Sequence, residues 1–88
     1  MAFDLNRPYR LSPSVALRPE PFGALAYHFG NRRLTFLKTP QLVDVVRLLG
    51  AHDTATSALS AAGVPVAVHE RYAAALSTLV DAEVIDAR

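Results

Sequence analysis

No cysteine occurs among these 88 residues. That excludes a disulfide framework and every thiolate metal site, and it suits a reducing compartment. Tryptophan is absent too. No apolar stretch approaches the roughly 18 to 20 residues that a membrane span needs, and the opening MAFDLNRPYR interleaves charges with a proline instead of offering the apolar run of a secretion signal. These absences point to a cytoplasmic chain without membrane contact. What is present is a globular balance, 51% hydrophobic and 19% charged, too rich in Leu, Val and aromatic residues to stay disordered. A chain of this length forms one domain that buries about 60 to 65% of its unfolded surface, which leaves little room for an elaborate active site.

Charge is unevenly placed. Residues 1–50 carry seven basic side chains (Arg7, Arg10, Arg18, Arg32, Arg33, Lys38, Arg47) against three acidic ones, a balance of plus four. Residues 51–88 carry Arg71 and Arg88 against five acids, or minus three.

Residues 1–13 hold Pro8 and Pro13 without sustained periodicity, which predicts an extended N-terminal arm, ordered only if it docks on a single domain spanning 14–88. Val15 to Arg18 alternate and predict a first strand stopped by Pro19 and Pro21. In residues 23–38 apolar and polar side chains alternate on both sides of Gly30-Asn31, where a two-residue type II′ turn is the simplest connection. That turn pairs Tyr27 with Leu34, Leu25 with Phe36, Ala26 with Thr35 and Ala24 with Leu37. One face is then aromatic and aliphatic and is expected to be the core face; the other is small and polar, with His28 toward solvent. Thr39-Pro40 opens a first helix with Leu42, Val45, Val46 and Leu49 at helical spacing. Asp53 is the expected cap of a second helix striped by Ala55, Ala58, Leu59 and Ala62 and closed by Gly63. A third follows Pro65 with Val68, Tyr72, Ala75, Leu76 and Leu79, and Val84-Ile85 trails as a short extended piece. The predicted fold class is α+β, winged-helix-like: a three-stranded antiparallel sheet followed by a three-helix bundle.

Chemistry-bearing constellations are missing. His28, His52 and His69 have no metal-ligand spacing, no serine sits in a nucleophile elbow, and the four glycines punctuate element boundaries instead of forming a phosphate loop. The chain therefore reads as neither enzyme nor cofactor carrier. A winged helix-turn-helix DNA-binding regulator is one alternative. Its recognition helix, VHERYAAALSTLVDAE, would carry Arg71 against Glu70, Asp81 and Glu83, the wrong sign for phosphate contact. A peptide-binding module is the other. The strand from Arg32 to Lys38 lies at a sheet edge where an extended peptide could add, although basic edge residues also serve to prevent such pairing. Four backbone hydrogen bonds at about 1 kcal/mol and two or three buried side chains at about 2 kcal/mol, less an association cost of at least about 4 kcal/mol, give a dissociation constant on the order of 0.1 to 1 mM.

The run RPEPFGALAYHFGNRRLTFLKTP resembles the signature stretch of the peptide chaperones of mycofactocin biosynthesis, PqqD-like recognition elements of ribosomally made, modified peptides. The likeness spans most of the chain, including its order of three strands then three helices. It implies that the leader of a precursor peptide binds as an added strand in a cleft between the third strand and the third helix, and is handed to a radical S-adenosylmethionine maturase of the SPASM type. By position the cleft would be lined by Arg33, Leu34, Thr35, Phe36 and Leu37 from the strand and by Arg71, Tyr72, Ala75 and Leu79 from the helix. With Leu34 and Phe36 on the core face, Arg33, Thr35 and Leu37 would serve mainly as backbone partners. The corner from Arg18 to Gly23 is either a turn that aims the second strand or, through Arg18 or Glu20, a contact for the maturase. The expected oligomeric state is a monomer or weak dimer, with no nucleic acid bound and no metal or cofactor held.

Overall fold

The computed structural model describes residues 3–88. Five strands and three helices follow in the order β1 (Tyr9–Leu11), β2 (Val15–Glu20), β3 (Gly23–His28), β4 (Leu34–Leu37), α1 (Pro40–Leu48), α2 (Ala55–Ala61), α3 (His69–Asp81) and β5 (Ile85–Ala87). Strands β2, β3 and β4 form the expected three-stranded antiparallel sheet, with β3 central, and the three helices follow it. The chain is thus α+β. A second, two-stranded ribbon joins β1 of the arm to β5, placing Tyr9 opposite Ala87 and Leu11 opposite Ile85. Arm carbonyls of Arg7 and Leu5 accept from the Ala55 and Thr56 amides, so the arm satisfies donors that the first turn of α2 would leave unpaired.

The hairpin register is as predicted: Ala24, Leu25, Ala26 and Tyr27 pair with Leu37, Phe36, Thr35 and Leu34. The turn is not. Gly30 does not take positive φ; Arg32 does, at 63°. Phe29 to Arg32 form a four-residue loop closed by the Arg32 amide donating to the His28 carbonyl at 2.8 Å. Side chains select this loop. His28 Nδ1 accepts from the Gly30 and Asn31 amides at 3.0 and 3.1 Å, and Asn31 Oδ1 accepts from the Arg33 amide at 2.9 Å. A four-residue loop keeps the parity of a two-residue one, which is why the register survives. His28 is accordingly half-buried, and its ring is engaged by its own loop.

The larger correction concerns the faces of the sheet. Ala24, Ala26 and Leu37 are buried, whereas Leu34 and Phe36 are 62% and 58% exposed. The small face, not the aromatic one, meets the helices. Methyl groups at Ala24 and Ala26 let α1 lie close to β3, and Leu37 fills the remaining space beside Val45, Val46, Leu49, Leu59 and Leu76, which are equally buried. Full burial of each such aliphatic side chain contributes about 1.5 to 3 kcal/mol.

Two smaller expectations also fail. Strand β2 does not stop at Pro19 but runs on to Glu20. Pro19 lies on an edge strand opposite Ala24, at a non-hydrogen-bonded position of the ladder, so its missing N–H faces outward and costs nothing. The cap of α2 is Thr54, not Asp53: its hydroxyl accepts from the Ser57 amide at 3.1 Å. Thr39 caps α1 as expected, accepting from the Leu42 amide at 3.1 Å, with Pro40 in the first turn. Gly63, at φ +82°, closes α2 in the left-handed conformation that favours glycine. Helix α3 has no side-chain cap. A short 3₁₀ turn, Val66–Val68, leads into it, and the buried His69 ring is anchored by Nε2 to the Val64 carbonyl at 2.9 Å.

Candidate functional site

Strand β4 ends the order β2-β3-β4, so among the described residues one side of its backbone has no strand beside it. Which groups are free follows from the ladder. The His28 amide donates to the Arg33 carbonyl at 3.0 Å, making His28 and Arg33 a hydrogen-bonded pair. Alternation then makes Ala26–Thr35 and Ala24–Leu37 hydrogen-bonded pairs as well. The N–H and C=O groups that point away from β3 therefore belong to Leu34 and Phe36. The assignment of Arg33, Thr35 and Leu37 as backbone partners of a guest is thus reversed: their backbones are spent on β3, and Leu34 and Phe36 hold the open positions.

The same two residues carry the exposed side chains. On the outer face Ala16, Tyr27 and Leu34 make one cross-strand row, and Arg18, Leu25 and Phe36 make the next. Phe22, at the β2–β3 turn, meets Phe36 edge to face with ring centroids 6.0 Å apart, and Phe29 meets Tyr27 at 5.3 Å. Monomeric proteins seldom leave so many rings and branched aliphatics contiguous on one sheet face. Arg18 Nε donates to Glu20 Oε2 at 2.9 Å on this side; an ion pair so exposed adds little stability.

Beside the other face of the sheet, a depression of about 300 Å³ opens between the start of α1 and α3, lined by Thr39, Leu42, Arg71, Tyr72 and Ala75. Its walls are fixed by a chain of hydrogen bonds: Tyr72 OH donates to Gln41 Oε1 at 3.0 Å, and Gln41 Nε2 donates to the Ala62 carbonyl at 3.4 Å, tying α3 to α1 and to the end of α2. Three of the four helix residues named from the sequence, Arg71, Tyr72 and Ala75, thus meet here. Leu79 does not; it is buried in the core. Leu37 is fully buried and also outside the lining. Thr39 and Leu42 were missed as lining residues. The cap signal at Thr39 already placed the start of α1 directly after the edge strand, where it borders any groove along that strand.

Arg32, Arg33, Lys38 and Arg71 form no ion pair among the described residues. Arg32 and Arg33 precede β4, Lys38 follows it, and Arg71 lines the depression. Among the described residues no three His, Cys, Asp or Glu side chains gather as metal ligands, and no helix is long and apolar enough to cross a membrane. The arrangement can accept an extended segment by backbone pairing at Leu34 and Phe36.

Comparison with known proteins shows the family of the chain. Residues 8–86 match the peptide chaperone MftB family. A peptide chaperone MftB of Mycobacterium ulcerans is 50% identical over 84 residues, covering 96% of this chain and 77% of that protein. The proteins of the same name from Mycolicibacterium smegmatis and Mycobacterium tuberculosis are 48% and 46% identical, covering 97% and 94% of the chain and 83% and 76% of their own lengths. No solved structure matches.

Proposed function

Because the chain belongs to the peptide chaperone MftB family, we propose that it holds the leader of a ribosomal precursor peptide as a strand added to β4 and delivers it to a radical S-adenosylmethionine maturase in mycofactocin biosynthesis. A peptide chaperone performs no covalent step, so the protein is not an enzyme; the iron-sulfur and S-adenosylmethionine chemistry belongs to the maturase. The observation that carries the reading is the unpaired margin of β4 at Leu34 and Phe36, beside a depression walled by Arg71, Tyr72 and Ala75.

A guest strand there extends the sheet by main-chain hydrogen bonds and sends alternate side chains toward the α1–α3 depression. Affinity beyond the millimolar range comes from that preformed depression and from Arg33 and Arg71, which form no ion pair among the described residues. Arg18 and Glu20 lie across the sheet on the β2 edge, leaving them for contact with the maturase while β4 is occupied. The exposed residues of α3 include Glu70, Arg71 and Asp81, one cation against two anions, which speaks for a peptide and against a DNA groove. The working form in this reading is a cytoplasmic monomer or weak dimer.

The test is a titration of the ¹⁵N-labelled chain with the synthetic leader of the mycofactocin precursor peptide. The Leu34 and Phe36 amides should shift and become protected from hydrogen exchange, while Thr35 and Leu37, already paired, gain little. Leader binding that leaves the Leu34 and Phe36 amides unprotected would rule out strand addition at this margin.

A further inference from the structure

We infer that the notch formed by Phe22, Phe36 and Lys38 is a second side-chain subsite for the same peptide, on the face of the sheet opposite the α1–α3 depression, and that it takes an apolar residue followed or preceded at two positions by a carboxylate. The inference rests on the strand-addition reading above.

Phe22 and Phe36 are 41% and 58% exposed, and their rings stand at 81° with centroids 6.0 Å apart. With Lys38 they enclose an open hollow of about 280 Å³. That is smaller than the roughly 300 to 1,000 Å³ typical of sites for whole small molecules, and it suits one side chain. Its position connects it to the free margin. Phe36 carries one of the outward backbone positions of β4, so a strand paired there sets its side chains alternately on the two faces of the sheet. Every second guest residue then lands on the outer face beside Leu34 or Phe36, within the roughly 4.5 to 8 Å at which cross-strand neighbours interact.

Charge narrows the occupant further. Lys38 follows β4 directly, two residues from Phe36 and so on the same face, and it forms no ion pair among the described residues. A guest residue beside Phe36 is therefore apolar, and the guest residue two positions away, beside Lys38, is Asp or Glu. The peptide is read from both sides of the sheet at once, its inward residues by Tyr72 and Ala75 and its outward ones by the ring pair.

The experiment measures fluorescence anisotropy of the fluorescein-labelled leader with the full chain and with Phe22→Ala, Lys38→Glu, Tyr72→Ala and Phe36→Pro. Each protein is also titrated with leaders in which one acidic residue at a time is replaced by Lys. Phe22→Ala is expected to weaken binding about fivefold. Lys38→Glu is expected to weaken it about tenfold and to be rescued by a single exchanged leader, whose new lysine lies two positions from an apolar residue. Binding by both variants within twofold of the unaltered chain overturns the subsite, as does the lack of any rescuing leader. Should Phe22→Ala fail to fold, the Lys38→Glu exchange decides alone. Loss of binding in Tyr72→Ala and Phe36→Pro with none in the other two removes the subsite and leaves strand addition standing. Undiminished binding by Phe36→Pro overturns both. If the Phe22 and Lys38 variants affect only capture of the maturase and not of the leader, the face belongs to the enzyme and the inference is wrong.

Discussion

The backbone of Gly23 lies so close to the Leu37 carbonyl that a Cβ on Gly23 would overlap its oxygen and press on the Thr39 backbone at 3.1 Å. Gly23 also sits at φ +154°. The contact pins the end of β4 against the start of β3 and so sets where α1 begins. Gly23→Ala must push this backbone apart, because the atoms it meets are not the ends of flexible side chains. We expect a loss of about 2 kcal/mol or more, seen as a fall of about 10 °C in the thermal midpoint, with the β4 and Thr39 amides shifting most in the NMR spectrum.

How far the fold could be read in advance is visible at Leu34 to Leu37. Alternation agreed with the register that the expected turn set, because slipping by one residue would invert the two faces. It could not say which face is buried. The expectation that larger side chains lie inside chose Phe36 and Leu34, while the helices chose Ala24 and Ala26, whose small size permits close approach. Of the candidate site, Arg71, Tyr72 and Ala75 were named through the family resemblance, with only Tyr72 and Ala75 on the apolar stripe of the helix. Thr39 and Leu42 were not, because their part in the depression depends on how α1 packs beside α3. Strand β1 also escaped, since its pairing with β5 joins residues nearly eighty positions apart in sequence.

Leu37→Ala and Leu34→Ala should separate cleanly. Leu37 is fully buried and its truncation leaves a cavity, for a cost of about 2 to 5 kcal/mol. Leu34 is 62% exposed, and its truncation should change stability by less than about 0.5 kcal/mol. Urea denaturation of the two variants checks this; equal losses would mean that the buried face is wrongly assigned.

Arg32 holds a left-handed conformation that an L-residue other than Asn or Asp adopts at a cost of roughly 1 kcal/mol. Its amide closes the hairpin loop, but its side chain forms no ion pair among the described residues. Arg32→Gly should therefore raise stability by about 0.5 to 1 kcal/mol, measured as a higher denaturation midpoint with an unchanged urea slope. A lower midpoint would show that the arginine side chain supports the loop.

Tyr72→Phe removes the hydroxyl that donates to Gln41 while keeping the ring that lines the depression. The loss should be about 0.5 to 1.5 kcal/mol in stability. Since Gln41 also donates to the Ala62 carbonyl, freeing it should broaden the amide signals of residues 61–63. Retention of full stability would mean that this bond does not hold α1 and α3 together.

Proline substitution tests the direction of the backbone groups most directly. Phe36 turns its N–H away from β3, so Phe36→Pro deletes a donor that the folded chain does not use; the neighbouring Leu37 donates to β3, so Leu37→Pro breaks the ladder and empties a core position. Phe36→Pro should remain folded, with circular dichroism close to that of Phe36→Ala, whereas Leu37→Pro should unfold or lose more than about 3 kcal/mol. Against the leader peptide, Phe36→Pro should bind about tenfold more weakly than Phe36→Ala, the equivalent of one backbone hydrogen bond at about 1 kcal/mol together with the clash of the proline ring against the incoming strand. The comparison with alanine removes the contribution of the phenyl ring from the measurement. If the proline and alanine variants bind equally, the guest does not pair with the Phe36 amide.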